Sequence, residues 1–195
     1  AIIRPKHTIS FQLPKLAFFQ PGSAPFVGSW HVVDIGLDQD YISRQETKFY
    51  LIEPKDISKL LPYRHRFDHK GDFGKLHIVA GSKGKTGAAI LAARAALRSG
   101  VGLLHVHVPD WSASVLQQAV PEAMVIAEKG EEVISSITAD VDSDAWAIGP
   151  GITTGDKAKT ALHTFLSSVD GSIPMILDAD ALNILSEDFA LLDML

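Results

Sequence analysis

The run Leu76-His77-Ile78-Val79-Ala80-Gly81-Ser82-Lys83-Gly84-Lys85-Thr86-Gly87-Ala88-Ala89-Ile90-Leu91-Ala92-Ala93-Arg94-Ala95-Ala96-Leu97-Arg98-Ser99-Gly100 decides how this chain folds. Leu76 to Ala80 is short, apolar and β-branched, the pattern of a buried strand. Three glycines follow within seven residues, and then Gly87 to Ser99 reads as a helix that is apolar almost all round. Only Arg94 and Arg98, four residues apart on one face, offer it a solvated edge. Gly100 supplies the left-handed residue that ends it. A helix with side chains this small can sit close to a sheet. Its N-terminus, stripped of bulk, leaves backbone N–H groups open to a ligand.

The same alternation continues outward. Strands are predicted at Leu103 to Val108, Met124 to Ala127, Ala145 to Ile148 and Pro174 to Leu177, with helices at Ser112 to Gln118, Glu131 to Ala139 and Asp156 to Ser168. Short apolar strands alternating with helices imply right-handed crossovers and an α/β fold, mainly a parallel sheet with helices on both faces. Upstream, Thr8 to Leu13 and Trp30 to Ile35 read as two short strands around the turn-rich Gln20 to Pro25. This is too little to bury a core of its own. Gln39 to Arg66 reads as a polar connector with one short helix near Asp56 to Leu61.

Composition narrows the function classes. Of the 195 residues, 46% are hydrophobic and 21% charged, which fits a folded globular chain rather than a disordered one. A net charge of −5 gives no electrostatic reason to expect nucleic acid or an anionic membrane as partner. With no cysteine, disulfides, thiolate catalysis and Cys-ligated zinc are excluded, and a reducing cytoplasm is the compartment that fits. No apolar run approaches membrane-spanning length. The start, Ala1-Ile2-Ile3-Arg4-Pro5-Lys6, lacks an initiator Met and the long apolar core of a signal peptide. The end comes just after a helical pattern begins at Ala181. The expectation is a chain truncated at both ends.

Three groups of residues are candidates for chemistry. The loop Gly81, Ser82, Lys83, Gly84, Lys85, Thr86 and Gly87 joins a strand to a helix N-terminus, where partial positive charge favours an anion. The alternative is a tight turn with two solvated lysines. Gly84-Lys85-Thr86 suggests a P-loop, but that motif needs a glycine where Val79 stands. Ile148-Gly149-Pro150-Gly151 ends a strand with two glycines that permit close backbone approach. Asp178-Ala179-Asp180-Ala181-Leu182-Asn183 ends another with two carboxylates and an amide. There Asp180 could simply cap the next helix while Asp178 bonds the same turn. All three groups lie at strand C-terminal ends, where open α/β sheets place ligands. His105 and His107 share one face of a strand and lack an evident third metal ligand, so a buried or edge pair is expected and no metal site. His65, His69 and His77 do not form a zinc spacing.

Taken in order, His69-Lys70-Gly71-Asp72-Phe73-Gly74, Gly81 to Ala89, Ala95 to Leu103, Ile148 to Gly151 and Leu177 to Asn183 resemble the ADP/ATP-dependent NAD(P)H-hydrate dehydratase family. The resemblance runs through about two-thirds of the chain. It implies a ribokinase-like fold, incomplete here, covering the N-terminal half of the dehydratase domain at 69–195. Residues 1–43, with Pro14-Lys15 and Val33-Asp34-Ile35-Gly36, resemble the tail of the NAD(P)H-hydrate epimerase domain that precedes the dehydratase in bifunctional members. The intervening 44–68 is then a connector.

The resemblance implies a reaction in which ADP or ATP, usually with Mg²⁺, phosphorylates the ring hydroxyl of hydrated NADH or NADPH, and elimination restores the dihydropyridine. It implies substrate contacts at Ala88, Gly149 and Gly151, with Asp178, Asp180 and Asn183 nearby. The family's base and its later glycine-rich nucleotide loop would lie beyond Leu195, so no catalytic residue is expected within the chain. Lys85 stands where members usually carry methionine. A sheet edge left open near the Pro174 strand would favour a homo-oligomer. Two other readings remain: a ribokinase-like kinase acting on another heterocyclic alcohol, and a ligand-binding or oligomer-forming module without chemistry.

Overall fold

A computed structural model describes residues 2–139 and 142–195. The chain divides into two compact units, one ending at Leu60 and the other running Leu61–Leu195.

In the first unit, β1 (His7–Phe11) pairs in parallel with β2 (Ser29–Val33), with His7 opposite Ser29. Phe18 and Phe19 pack on Trp30 at ring-centroid distances of 5.8 and 5.6 Å. Val27 is the only buried apolar side chain among the described residues of this unit, while Ile9 and Phe11 stand in solvent. Two strands cannot enclose a core. The polar stretch beyond holds two short helices, α1 (Gln39–Ser43) and α2 (Pro54–Leu60), where the sequence suggested one. Asp38 accounts for the first, since its carboxylate accepts the N–H groups of Asp40 and Tyr41.

The second unit is an α/β layer structure. Its strands are β3 (Lys75–Val79), β4 (Leu103–Pro109), β5 (Met124–Glu128), β6 (Ala145–Ile148) and β7 (Met175–Leu177). They form one parallel sheet in the order β5-β4-β3-β6-β7. The helices are α3 (Thr86–Ser99), α4 (Asp110–Ala119), α5 (Asp156–Ser168) and α6 (Asp180–Glu187). From β3 the chain moves outward through α3 to β4 and then β5. It returns to the other side of β3 for β6, so the direction of winding reverses between β3 and β6. Such a reversal opens a crevice at the strand C-terminal ends.

One face of the sheet is dry. Ile78, Leu104, Val106 and Val108 pack on Ala89 and Ala93 of α3 and on Leu116 of α4. The alanine-rich helix is less immersed than its composition suggested. Leu91 is 70% exposed, because α3 turns only its Thr86-Ala89-Ala93 stripe fully inward. Gly100 ends it at φ 101°, as the sequence implied.

The opposite face carries Val79, Trp146 and Ile148 against Phe165 and Leu162 of α5 and Ala181 and Ile184 of α6. Beyond β3 this face is covered by a strap, not by the helix expected at Glu131 to Ala139. The apolar spacing of Val133, Ile134 and Ile137 imitated a helix, but the segment is rich in β-branched residues and serine, which favour other conformations. Gly130, at φ 121°, turns the chain into it. Ile134 is then buried, and the Thr138 N–H donates to the Glu128 carboxylate at 2.8 Å, as an extended strap allows.

Beneath the strap lies a polar chain. His77 Nδ1 is 2.8 Å from His107 Nε2, and His107 Nδ1 is 2.6 Å from Glu128 Oε1. Glu128, in the last position of β5, is 4% exposed and accepts from both the backbone and the hydroxyl of Thr138. An ionised carboxylate can only accept, so His107 Nδ1–H donates to Glu128, and His107 Nε2 is left to accept from His77 Nδ1–H. Among the described residues His77 Nε2 has no hydrogen-bond partner. His105 and His107 therefore do not form a pair with each other: His105 stacks on His77 at 4.3 Å, and its Nδ1 is also unpartnered.

Candidate functional site

The glycine-rich loop after β3, the Gly149–Thr153 turn after β6 and the Asp178–Asn183 segment after β7 meet at the crevice. Backbone geometry brings them together. Gly81 N–H donates to Pro150 O at 2.8 Å, and Asp178 N–H donates to Ile148 O at 3.0 Å. Gly149 adopts φ 134°, and a β-carbon there would stand 1.8 Å from the Asp178 carbonyl oxygen, so no other residue fits. Gly151, at φ 73°, brings its backbone against α3: a β-carbon would lie 3.1 Å from that of Ala88 and 3.2 Å from that of Lys85. Ala88 therefore faces the Gly149–Gly151 turn directly.

Charge completes the junction. Lys85 Nζ lies 3.3 Å from Asp180 Oδ2, and the same oxygen accepts the Thr153 N–H at 2.8 Å. Asp180 is thus a clasp across all three segments. Burial alone would raise its pKa, but the Thr153 N–H and the Lys85 ammonium outweigh that and hold it below the ordinary aspartate value. A general base works best with a pKa near the working pH, so Asp180 is suited to binding and not to proton abstraction.

The expected capping of α6 by Asp180 or Asp178 does not occur. Ala179 occupies the cap position without a side-chain bond, and the Asp180 carboxylate reaches across to Thr153 instead. Asn183 Nδ2 touches Asp180 Oδ1 at a marginal 3.5 Å, and Asp178 and Asn183 are both solvent-exposed.

Two non-glycine residues at this junction have left-handed backbone, Thr153 (φ 72°) and Ala179 (φ 49°). Such conformations cost on the order of 1–3 kcal/mol each and persist where their surroundings over-determine them. Sequence reasoning missed both. A positive φ at a β-branched threonine leaves no compositional signal.

The loop itself fits an anion. Among the described residues, the N–H groups of Ser82, Gly84, Thr86 and Gly87 have no protein acceptor. Ser82 Oγ and Thr86 Oγ1 are unpartnered too, in residues 1% and 8% exposed. Neither lysine is merely solvated: Lys85 pairs with Asp180, and Lys83 pairs with Glu132 of the strap. Among the described residues no group of three or more His, Asp or Glu is arranged to hold a metal ion. No described helix is long and apolar enough to cross a membrane. A separate cavity of about 640 Å³ lies at the other end of the strands, lined by Tyr63, Phe73, Lys75, Gly100 and Asp144 among others.

Comparison with known proteins shows the family. A family model described as NAD(P)H-hydrate dehydratase matches residues 76–193. The bifunctional NAD(P)H-hydrate repair enzyme Nnr of Moorella thermoacetica is 33% identical over 189 residues, covering 93% of this chain and 35% of that protein. The chain thus spans about a third of the length of that relative. The crystal structure of ADP/ATP-dependent NAD(P)H-hydrate dehydratase from Bacillus subtilis, co-crystallized with ATP/Mg²⁺, superimposes with a TM-score of 0.54 at 30% identity. It covers 66% of this chain and 45% of that one. A ribokinase-like superfamily protein of Enterococcus faecalis gives a TM-score of 0.59 at 24% identity, covering 73% of this chain and 51% of its own, which establishes the fold alone. With its ribokinase-like sheet and a family match over most of the Leu61–Leu195 unit, the chain belongs to the NAD(P)H-hydrate dehydratase family.

Proposed function

We propose that this chain supplies the substrate side of a nucleotide-dependent dehydration that returns NAD(P)H hydrate to NAD(P)H. The observation that carries the reading is the convergence of Ala88, Gly149 and Gly151 at the crevice, locked by the Lys85–Asp180–Thr153 clasp. Small side chains and bare backbone keep the surface of the crevice low there, so a flat ring can lie against it. Asp178 and Asn183, exposed beside the clasp, are placed to bond polar groups of that ligand. The unpartnered N–H groups of Ser82, Gly84, Thr86 and Gly87 suit the ligand's phosphates.

A nucleotide, ADP or ATP, supplies the phosphoryl group that turns the ring hydroxyl into a leaving group. Loop atoms of this chain could meet part of its charge. The chain's residues bind and orient the hydrate. The base and most of the nucleotide site belong to sequence outside these 195 residues. In the same reading, residues 1–43 are the end of an epimerase domain and 44–68 a connector. The Moorella match supports this by extending well beyond the dehydratase segment into a bifunctional relative.

The test is an assay with hydrated NADH, ADP or ATP, and Mg²⁺, following return of the reduced-nicotinamide absorbance. The 195-residue chain should turn over at least about 10²-fold more slowly than a protein carrying the rest of the family's length, because a positioned base alone contributes about 10²–10⁴. Equal rates would place the catalytic machinery within this chain.

A further inference from the structure

We propose that Glu132 sets the ligand specificity of the glycine-rich loop by occupying Lys83, so that only a ligand with enough negative charge to displace it recruits that lysine. The inference deepens the functional reading above and rests on its placement of an anion at the loop.

Glu132 meets the loop twice. Its carbonyl oxygen accepts the Lys83 N–H at 2.7 Å, and its carboxylate pairs with the Lys83 ammonium. The backbone bond fixes where the side chain starts, so the ion pair is delivered by the strap and does not depend on a chance meeting of two long side chains. The strap is itself anchored at both ends. Ser135 N–H donates to Lys129 O at 2.9 Å, closing the turn that Gly130 begins, and Thr138 is held by the buried Glu128 carboxylate. A carboxylate on so supported a segment stays at the loop when the site is empty.

The consequence is a charge threshold. Lys85 is already committed to Asp180, so Lys83 is the loop's second cation and Glu132 its internal counter-anion. Both partners are about half exposed, and so the pair is weak enough to be exchanged. A singly charged anion gains little by replacing one carboxylate with another negative group. A diphosphate, as in a dinucleotide or nucleoside diphosphate, can bond the open N–H groups and draw Lys83 away from Glu132 at once. The Glu132 hydrogen bond and charge also raise the Lys83 pKa above the ordinary lysine value, so the lysine is charged when a ligand arrives.

The experiment is calorimetric titration of the full 195-residue chain and its variants with inorganic pyrophosphate and, separately, acetate, at low and high salt. Glu132→Gln keeps the shape of the side chain and removes its charge. It should tighten pyrophosphate by about 2- to 5-fold, the size expected for one exposed ion pair. The gain should shrink at high salt and disappear in the Lys83→Ala background. Acetate, whose single charge does not draw Lys83 out of the pair, should gain less than pyrophosphate does. Unchanged pyrophosphate affinity in Glu132→Gln, or a gain that survives without Lys83, overturns the proposal while leaving the anion site intact. Absence of pyrophosphate binding in every variant overturns the anion site itself, and this inference with it.

Discussion

The two faces of the Leu61–Leu195 sheet solve the same packing problem with opposite chemistry. On the α3/α4 face the buried cluster is aliphatic, with Ser112 and Thr86 as its small polar neighbours, and small alanines let the helix approach the strands. On the other face, α5 and α6 cover β6 and β7 in the same apolar way, but beneath the strap the sheet buries His77, His107 and Glu128. The first face is held by surface removed from water, which is indifferent to proton concentration. The second depends on a hydrogen-bonded chain whose members titrate. The difference shows that one sheet can carry a dry support for the ligand loop and a polar anchor for the strap that reaches it.

Removing one member from each face separates the two mechanisms. Glu128→Ala strips His107 and Thr138 of their shared acceptor and should cost about 3–5 kcal/mol, as breaking a buried pair generally does. Leu104→Ala, on the dry face, should cost about 2–5 kcal/mol through lost burial and a cavity. Denaturant unfolding at several pH values distinguishes them: the Leu104 penalty should be constant, whereas the Glu128 penalty should shrink in acid. A Glu128 penalty that is small and pH-independent would mean that the polar chain is only decoration on an apolar core.

A gentler probe is acidity itself. Burial, with the nearby His107 and His105, pushes the His77 pKa down from 6.5 to about 4. Burial, His107 and Lys75 lower that of His105. For both groups the unfolded chain binds the proton first as pH falls, so stability is lost as pH drops below about 6.5, for His77 down to about 4. Glu128 acts in the same direction at lower pH. Burial alone would raise its pKa, but the bonds from His107 and Thr138 hold it below the ordinary glutamate value, so its contribution is lost in acid. Lys75 and Asp142 are the charged groups facing this cluster from outside. His77→Leu should flatten the dependence of melting temperature on pH in that window and leave the neutral-pH value within a few degrees. An unchanged slope would assign the acid sensitivity elsewhere.

These contrasts also explain what the sequence disclosed. The dry face was legible, because the strands at Leu76 and Leu103 and the helices at Gly87 to Ser99 and Ser112 to Gln118 are written in local apolar periodicity. The strap was not. Val133, Ile134 and Ile137 have helical spacing, and only the bond from Thr138 to a glutamate ten residues earlier reveals the extended path. Glu128 was passed over because a charged residue at a strand end usually faces water. The glycines at 81, 149 and 151 marked the crevice correctly as places of close approach, since each is needed for its backbone. The roles of Lys85, Lys83 and Asp180 were hidden, because the partners of each lie 49 or 95 residues apart. Local pattern cannot show such a pairing, whereas the topology of the sheet makes it unavoidable.

The claim that the ligand sits at the three-loop junction is tested most directly by amide NMR of the 195-residue chain titrated with hydrated NADH. Shifts are expected to concentrate at Gly81 to Ala88, Gly149 to Thr153 and Asp178 to Asn183, with unhydrated NADH producing weaker ones. Shifts clustered instead around Gly74, Gly100 and Val101, at the cavity on the far end of the strands, would contradict it.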